Sequence, residues 1–286
     1  MPQLRIAPHR GRHMVSTNSQ SYPLGGTQTE RDRLLLQAEQ YAPKANWLLD
    51  QIRIQPGWRA VDIGCGPICI LSLLSERVGP GGAVVGLERE QRFAEMARGE
   101  IVRRELGNVT IVQADALNTG LEKGAFDLVH ERLVLINVSD RKAFLKEMLS
   151  LLRPGGTIAL EDVDTVSWLC QPAHPSWEIL LNAFHTVFHA AGGDRFIGRK
   201  LPVMLRDAGV ENIQIKVTVE TPAIGDDRRT HLVSLIDSVG EKIIAKGLLA
   251  EGTLKEHKEV LVRHLNDPGT TVIDQLLVQC WGEKSK

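Results

Sequence analysis

An α/β fold built on a doubly wound, mainly parallel sheet is what this sequence predicts, and three observations carry that expectation. Short apolar runs of strand length recur from residue 59 onward, uniformly apolar rather than alternating, as strands covered on both faces require. Amphipathic stretches of helix length lie between them. Breaks rich in Gly and Pro, such as Gly79-Pro80-Gly81-Gly82 and Arg153-Pro154-Gly155-Gly156, separate the units.

Residues 1–29 are polar and punctuated by Gly and Pro, which predicts a loose segment. Residues 30–52 read as helix, with Leu34, Leu35, Ala38, Trp47, Leu48 and Ile52 as apolar positions. Pro43 lacks an N–H and crowds the preceding turn, so it is expected to divide that stretch into two helices. Pro56-Gly57 marks a turn. Residues 59–63 form the first strand, leading into Gly64-Cys65-Gly66, with a helix over 68–77 after it. A strand over 83–87, a helix over 90–105, strands over 109–113 and 126–130, a helix over 140–152 and a strand over 157–160 continue the alternation. Strict alternation then ends. Helices are expected over 177–191, 201–208, 229–246 and 253–265, with strands over 212–219 and 272–281. About fifty mostly helical residues separate those last two strands, too many for a hairpin loop, and they predict an inserted cap. The domain division that follows is an arm with lid helices over 1–55 and a body over 56–286, with cap elements at about 165–210 and 222–268.

Composition narrows the function. The 286 residues carry 34 Lys+Arg against 35 Asp+Glu, a formal net charge of −1, with 43% hydrophobic and 24% charged residues. These are globular values, which exclude a collagen-like, disulfide-dense or wholly disordered chain. Near-neutral charge gives no electrostatic push toward nucleic acid or an anionic membrane, so neither is expected as a partner. No uninterrupted apolar run exceeds four residues and the start lacks an apolar core, so neither a spanning helix nor a signal peptide is expected. Cys65, Cys69, Cys170 and Cys280 lack the paired spacing of a zinc site; no metal is expected, and reduced thiols in a cytoplasmic protein are the default.

The chemistry begins at Asp62-Ile63-Gly64-Cys65-Gly66, where a strand turns into a helix. Glycines there let the chain turn sharply and let a ligand approach the main chain. The dinucleotide fingerprint needs a third Gly where Cys69 stands. Asp62 would also repel a pyrophosphate, which prefers bare helix N–H groups. The same carboxylate suits a ligand bearing an ammonium and a sulfonium, as S-adenosyl-L-methionine does. Glu88, ending the second strand, can accept both hydroxyls of a ribose. Asp115-Ala116, ending the third, can accept the exocyclic amine of adenine. Acids at three successive strand ends on one sheet edge mark a ligand site.

These residues resemble the class I S-adenosylmethionine-dependent methyltransferases, among them bacterial small-molecule enzymes of quinone and natural-product type. The matching series is Val61-Asp62-Ile63-Gly64-Cys65-Gly66-Pro67, Val85-Gly86-Leu87-Glu88, Gln113-Ala114-Asp115-Ala116, Phe126-Asp127-Leu128-Val129 and Leu152-Arg153-Pro154-Gly155-Gly156. Ile68 departs from it, where many members carry a third glycine. The resemblance implies a Rossmann-like, seven-stranded sheet whose last strand, over 272–281, is antiparallel. It implies that Asp62, Gly64 and Gly66 hold the methionine moiety, Glu88 the ribose, and Asp115 and Ala116 the adenine. His130 and Glu131 would border the sulfonium and methyl. A second resemblance, of Tyr22-x-x-Gly25-Gly26 with Glu30-Arg31 and Leu34, is to a lid segment in natural-product methyltransferases, including indole C-methyltransferases. It makes Tyr22 and Arg31 lid candidates at the cofactor, and it implies exchange of the arm in a homo-oligomer, a dimer or larger.

Methyl transfer from a sulfonium needs proximity, alignment and dryness; a base is needed only if the acceptor must lose a proton. His185, His189 and Glu131 are the candidate bases, with Asp162 and Asp164 as rivals near strand ends. Trp168, Trp177 and Phe196 are candidates for an aromatic wall around a flat acceptor, in a stretch that also holds His174 and Arg195. The expected function is therefore transfer of a methyl group to O, N or aromatic C of a small acceptor. A non-catalytic donor-binding regulator and a dinucleotide-dependent oxidoreductase are the alternatives.

Overall fold

The structure, a computed structural model, describes residues 28–286, and their side chains from Arg33 onward. Tyr22 and the side chain of Arg31 lie outside the described residues. The body is a seven-stranded sheet of β1 (Arg59–Ile63), β2 (Ala83–Glu88), β3 (Val109–Gln113), β4 (Phe126–Arg132), β5 (Leu152–Asp164), β7 (Val210–Thr218) and β9 (Leu276–Lys284). Its order is β3-β2-β1-β4-β5-β9-β7. Strands β1 to β5 are mutually parallel, and β9 runs antiparallel to both β5 and β7. The order reverses between β1 and β4. In such sheets the strand ends splay apart at that point and leave a crevice at their C-terminal edge.

Apolar burial explains the layers. On one face Val61, Ile63, Phe126, Ile158 and Val210 pack with Phe144 and Met148 of α4 (Arg141–Leu151) and with Leu201 and Leu205 of α6 (Leu201–Asp207). On the other, Ala60, Leu128 and Ala159 meet three helices: α1 (Gln28–Ile52), α2 (Leu71–Val78) and α3 (Gln91–Arg103). A third cluster belongs to α5 (Pro175–Ala190), α7 (His231–Ala245) and α8 (Glu251–Leu265), joined by Trp168 and Trp177. Arg229 pins this helical cap: its buried guanidinium donates to the carbonyls of Leu265 (2.6 Å), Pro222 (3.0 Å) and Thr270 (2.6 Å). Among the described residues no helix is long and apolar enough to cross a membrane.

Several expectations are corrected. Pro43 does not divide the first helix; α1 runs through it without a break. Ala45, Leu48 and Leu49, all fully buried, anchor the following turns to the sheet, so packing outweighs the one lost hydrogen bond. The helix after the glycine turn begins at Leu71 rather than 68. The fifth strand is much longer than 157–160, spanning all of β5, because its partners extend at both ends. The run 272–281 is two strands. Asp274 and Gln275 leave the ladder, and the short β8 (Thr271–Ile273) pairs with β6 (Leu169–Gln171) in a separate ribbon. Of the stretch 165–210, α5 joins the cap core while α6 belongs to the sheet core.

Candidate functional site

The glycine turn follows β1 as its sequence requires. Gly64 (φ +70°) and Gly66 (φ +52°) occupy the left-handed region. The N–H groups of Gly64 and Cys65 both donate to the carbonyl of Leu87, at 2.7 and 3.0 Å, which folds the turn over the end of β2. A Cβ at Gly64 would collide with the Val134 side chain. Glu88 sits beneath this turn: Oε2 accepts from Gly66 N (2.9 Å) and Oε1 from Glu90 N (2.8 Å). Burial pushes its pKa up despite those bonds. Asp115 accepts from Leu117 N (2.8 Å) and so shapes the turn after β3.

Behind the turn lies a fully buried ionic row. His130 Nδ1 is 2.7 Å from Asp62 Oδ1, and His130 Nε2 is 2.9 Å from Glu161 Oε1. Carboxylates only accept, so both ring nitrogens carry protons and the ring is an imidazolium. Burial alone would depress its pKa, but the two hydrogen bonds and the two negative charges outweigh that and carry it up to about 9. Glu161 Oε2 accepts from Gln279 Nε2 (2.6 Å), and Asp62 Oδ2 has no hydrogen-bond partner.

The loop after β4 is bracketed by two more buried acids. Glu131 Oε2 accepts from Val134 N (3.0 Å) and Leu135 N (3.2 Å), and Asp162 Oδ2 accepts from Ile136 N (2.8 Å). Burial raises the pKa of both carboxyls, and their proximity raises that of Asp162 further. Leu133, at φ +59°, stands in a region that disfavours a side chain, and these bonds hold it there.

Strand edge and cap enclose one cavity of about 480 Å³, within the roughly 300–1,000 Å³ of small-molecule pockets. Its strand-edge side is lined by Gly64, Gly66, Glu88, Asp115, Ala116 and Arg132. Its cap side is lined by Tyr41 of α1, Val163 and Thr165 after β5, Phe184 and Phe188 of α5, Arg195, and His231 and Leu235 of α7. Arg132 is buried, lies 5.6 Å from the Tyr41 ring centroid, and its Nη1 has no hydrogen-bond partner. Phe184 and Phe188 are stacked, with centroids 5.5 Å apart and planes 16° apart.

Five expected site residues thus meet at one wall: Gly64, Gly66, Glu88, Asp115 and Ala116. Others are placed differently. Asp62 and His130 form the layer behind the wall: both are fully buried, and neither lines the cavity. Glu131 does not line the cavity; its carboxyl serves the backbone of the loop. His185 lies outside the cavity wall, its Nδ1 pressed against Arg195 Nη1, and burial together with that guanidinium lowers its pKa to about 4. His189 is exposed on the outer side of α5. Trp168 and Trp177 make no wall: they pack edge-to-face, 5.5 Å apart, inside the cap core. Phe196 lies between the guanidiniums of Arg195 and Arg199, at 4.4 and 4.5 Å. Arg132, Tyr41 and His231 went unforeseen. Phe184 and Phe188 carry a readable signal, a four-residue spacing on the apolar face of one helix.

This sheet order, with its last strand antiparallel and a carboxylate-lined parallel edge, is the fold that the resemblance to class I S-adenosylmethionine-dependent methyltransferases implied. Residues 54–209 match the family model described as a methyltransferase domain, and the chain belongs to that family. It is 30% identical over 133 residues to a demethylmenaquinone methyltransferase of Listeria monocytogenes, covering 46% of this chain and 54% of that protein. It is 34% identical over 122 residues to a nocamycin O-methyltransferase of Saccharothrix syringae, covering 43% and 44%. The chain spans about half the length of the curated relatives it matches. Among solved structures, a Haemonchus contortus phosphoethanolamine N-methyltransferase in complex with S-adenosyl-L-methionine superposes with TM-score 0.54 at 15% identity, covering 85% of this chain and 53% of that one.

The wall fits that donor. Glu88 and Asp115 offer acceptors for hydroxyl and amine groups, a Cβ at Gly64 would displace the Val134 side chain of the same lining, and Arg132 has an unused donor for a carboxylate. If Glu88 serves the donor, Glu88→Gln should raise the dissociation constant for S-adenosylhomocysteine about tenfold, since the amide gives up one of the two carboxylate acceptors, one of which now holds Gly66 N. Fluorescence titration of wild type and variant checks it; equal affinities would remove Glu88 from the site.

Proposed function

We propose that this chain transfers a methyl group from S-adenosylmethionine to a small, flat, largely apolar acceptor enclosed beneath the cap. The observation that carries the reading is the continuity of one cavity from the glycine turn to the stacked pair Phe184 and Phe188. A relative named for demethylmenaquinone and another named for nocamycin support a small-molecule acceptor.

When bound, the donor supplies an already activated methyl group. The chain's residues bind, orient and exclude water. Asp62, Gly64, Gly66 and Arg132 are assigned to the methionine end, Glu88 to the ribose, and Asp115 and Ala116 to the adenine. His130 positions Asp62, and Glu131 with Asp162 fixes the loop over 133–136 that closes the wall. Phe184, Phe188 and Tyr41 hold the acceptor against the methyl side, where a dry enclosure strengthens alignment and suppresses hydrolysis. Incubation with methyl-labelled donor and a panel of indoles, phenols, quinones and aromatic acids tests the reading. Label transferred to one class supports it. Saturable donor binding with no transfer to any class favours a donor-binding regulator instead.

A further inference from the structure

The cap side of the cavity carries a guanidinium and, among the described residues, no carboxylate; the acids of the lining, Glu88, Glu90 and Asp115, all belong to the strand edge. Arg195 lines the cap side, where its guanidinium meets two uncharged groups, the ring of Phe196 and Nδ1 of His185. His231 also lines it, but burial, then the charge of Arg33, drops its pKa to about 3, so the ring is uncharged and weakly basic. Burial raises the pKa of Tyr41, which keeps that phenol protonated. An acceptor that must lose a proton during transfer finds no carboxylate on this side to take it, and an acceptor that arrives ionised finds a guanidinium in the same lining as a stacked aromatic pair.

We propose that the acceptor is a carboxylic acid on a flat apolar body, its carboxylate bound by Arg195 and its body laid against Phe184 and Phe188. This rests on the methyl-transfer reading above. One carboxylate oxygen attacks the methyl carbon in line with the carbon–sulfur bond. The carbon–oxygen bond forms as the carbon–sulfur bond breaks, and the electron pair of the latter passes to sulfur, which changes from sulfonium to neutral thioether. The product is a methyl ester, and no proton moves. The second carboxylate oxygen stays on Arg195, which fixes the attacking one in direction. The ester carries no charge, so the guanidinium that draws the acid in does not hold the product.

The test uses the full chain saturated with S-adenosylhomocysteine and a matched pair of probes, 2-naphthoate and 2-naphthamide, followed by calorimetry. Naphthoate should bind at least about tenfold more tightly than the amide, the scale of one charge-assisted hydrogen-bond pair. Arg195→Met should erase that preference and Arg195→Lys should keep most of it, with both variants still saturable by S-adenosylhomocysteine, which shows that the strand-edge wall is intact. Equal binding of acid and amide to wild type, or an undiminished preference in Arg195→Met, overturns the proposal. Failure of S-adenosylhomocysteine to bind wild type would remove the methyl-transfer reading itself, and this proposal with it.

Discussion

Asp62→Asn should weaken S-adenosylhomocysteine binding by about ten- to a hundredfold in a protein that still folds, the loss expected for a charged group at about 1.5–3 kcal/mol. The amide keeps the volume and can still accept from His130, so the fold retains its partner at 2.7 Å. What it loses is the negative charge beneath the Gly64–Gly66 turn, where the ammonium end of the donor is assigned, and the unpartnered Oδ2. Asp62→Ala should in addition cost about 3–5 kcal/mol of stability, because it strands half of a buried ion network. Equilibrium dialysis with labelled ligand reads the first effect, and urea unfolding the second. An Asn variant that binds like wild type would reduce Asp62 to a structural partner of His130.

Stability should fall as pH rises from about 6.5 to 9, and His130 should account for much of the fall. Its pKa is raised from 6.5 in the unfolded chain to about 9 in the fold. A group raised in this way contributes stability that is fully present below its unfolded pKa and is lost as pH climbs through its folded pKa. The imidazolium between Asp62 and Glu161 therefore contributes on the order of 3 kcal/mol in mildly acidic solution, and that contribution is absent above about pH 9. His130→Gln should be less stable at pH 6 but much flatter in pH dependence. Unfolding midpoints taken every half unit from pH 6 to 9.5 decide it. Parallel pH profiles for variant and wild type would mean that the ring is neutral and the row is held otherwise.

Asp62 and His130 are residues whose chemistry is legible in the sequence and whose depth is not. Periodicity and Gly-Pro breaks located the strands, since a strand buried on both faces has little choice but to be apolar throughout. Acids at strand ends located the strand-edge wall of the cavity, because Glu88 and Asp115 both line it. Asp62 and His130 look the same in one dimension, yet parallel pairing of β1 with β4 sets them side by side and buries both. The acceptor wall was the least legible part. Aromatic residues near 168–196 suggested a pocket, but a Trp that fills a cap core and a Phe that lines a cavity obey the same helical period. Trp177, Phe184 and Phe188 all belong to the cap core, but Phe184 and Phe188 reach the cavity while Trp177 packs against Trp168. Pro43 likewise carried a true local cost that burial of Ala45, Leu48 and Leu49 overrode.

The central claim is that the strand-edge wall holds an S-adenosyl donor and not a dinucleotide. Calorimetric titration of the full chain with S-adenosylmethionine, S-adenosylhomocysteine and NADH in parallel tests it most directly. The expected result is saturable single-site binding of the first two and no heat of binding from NADH. Saturable binding of NADH, with neither S-adenosyl compound bound, would contradict the assignment of Asp62, Glu88 and Asp115 and of the site they form.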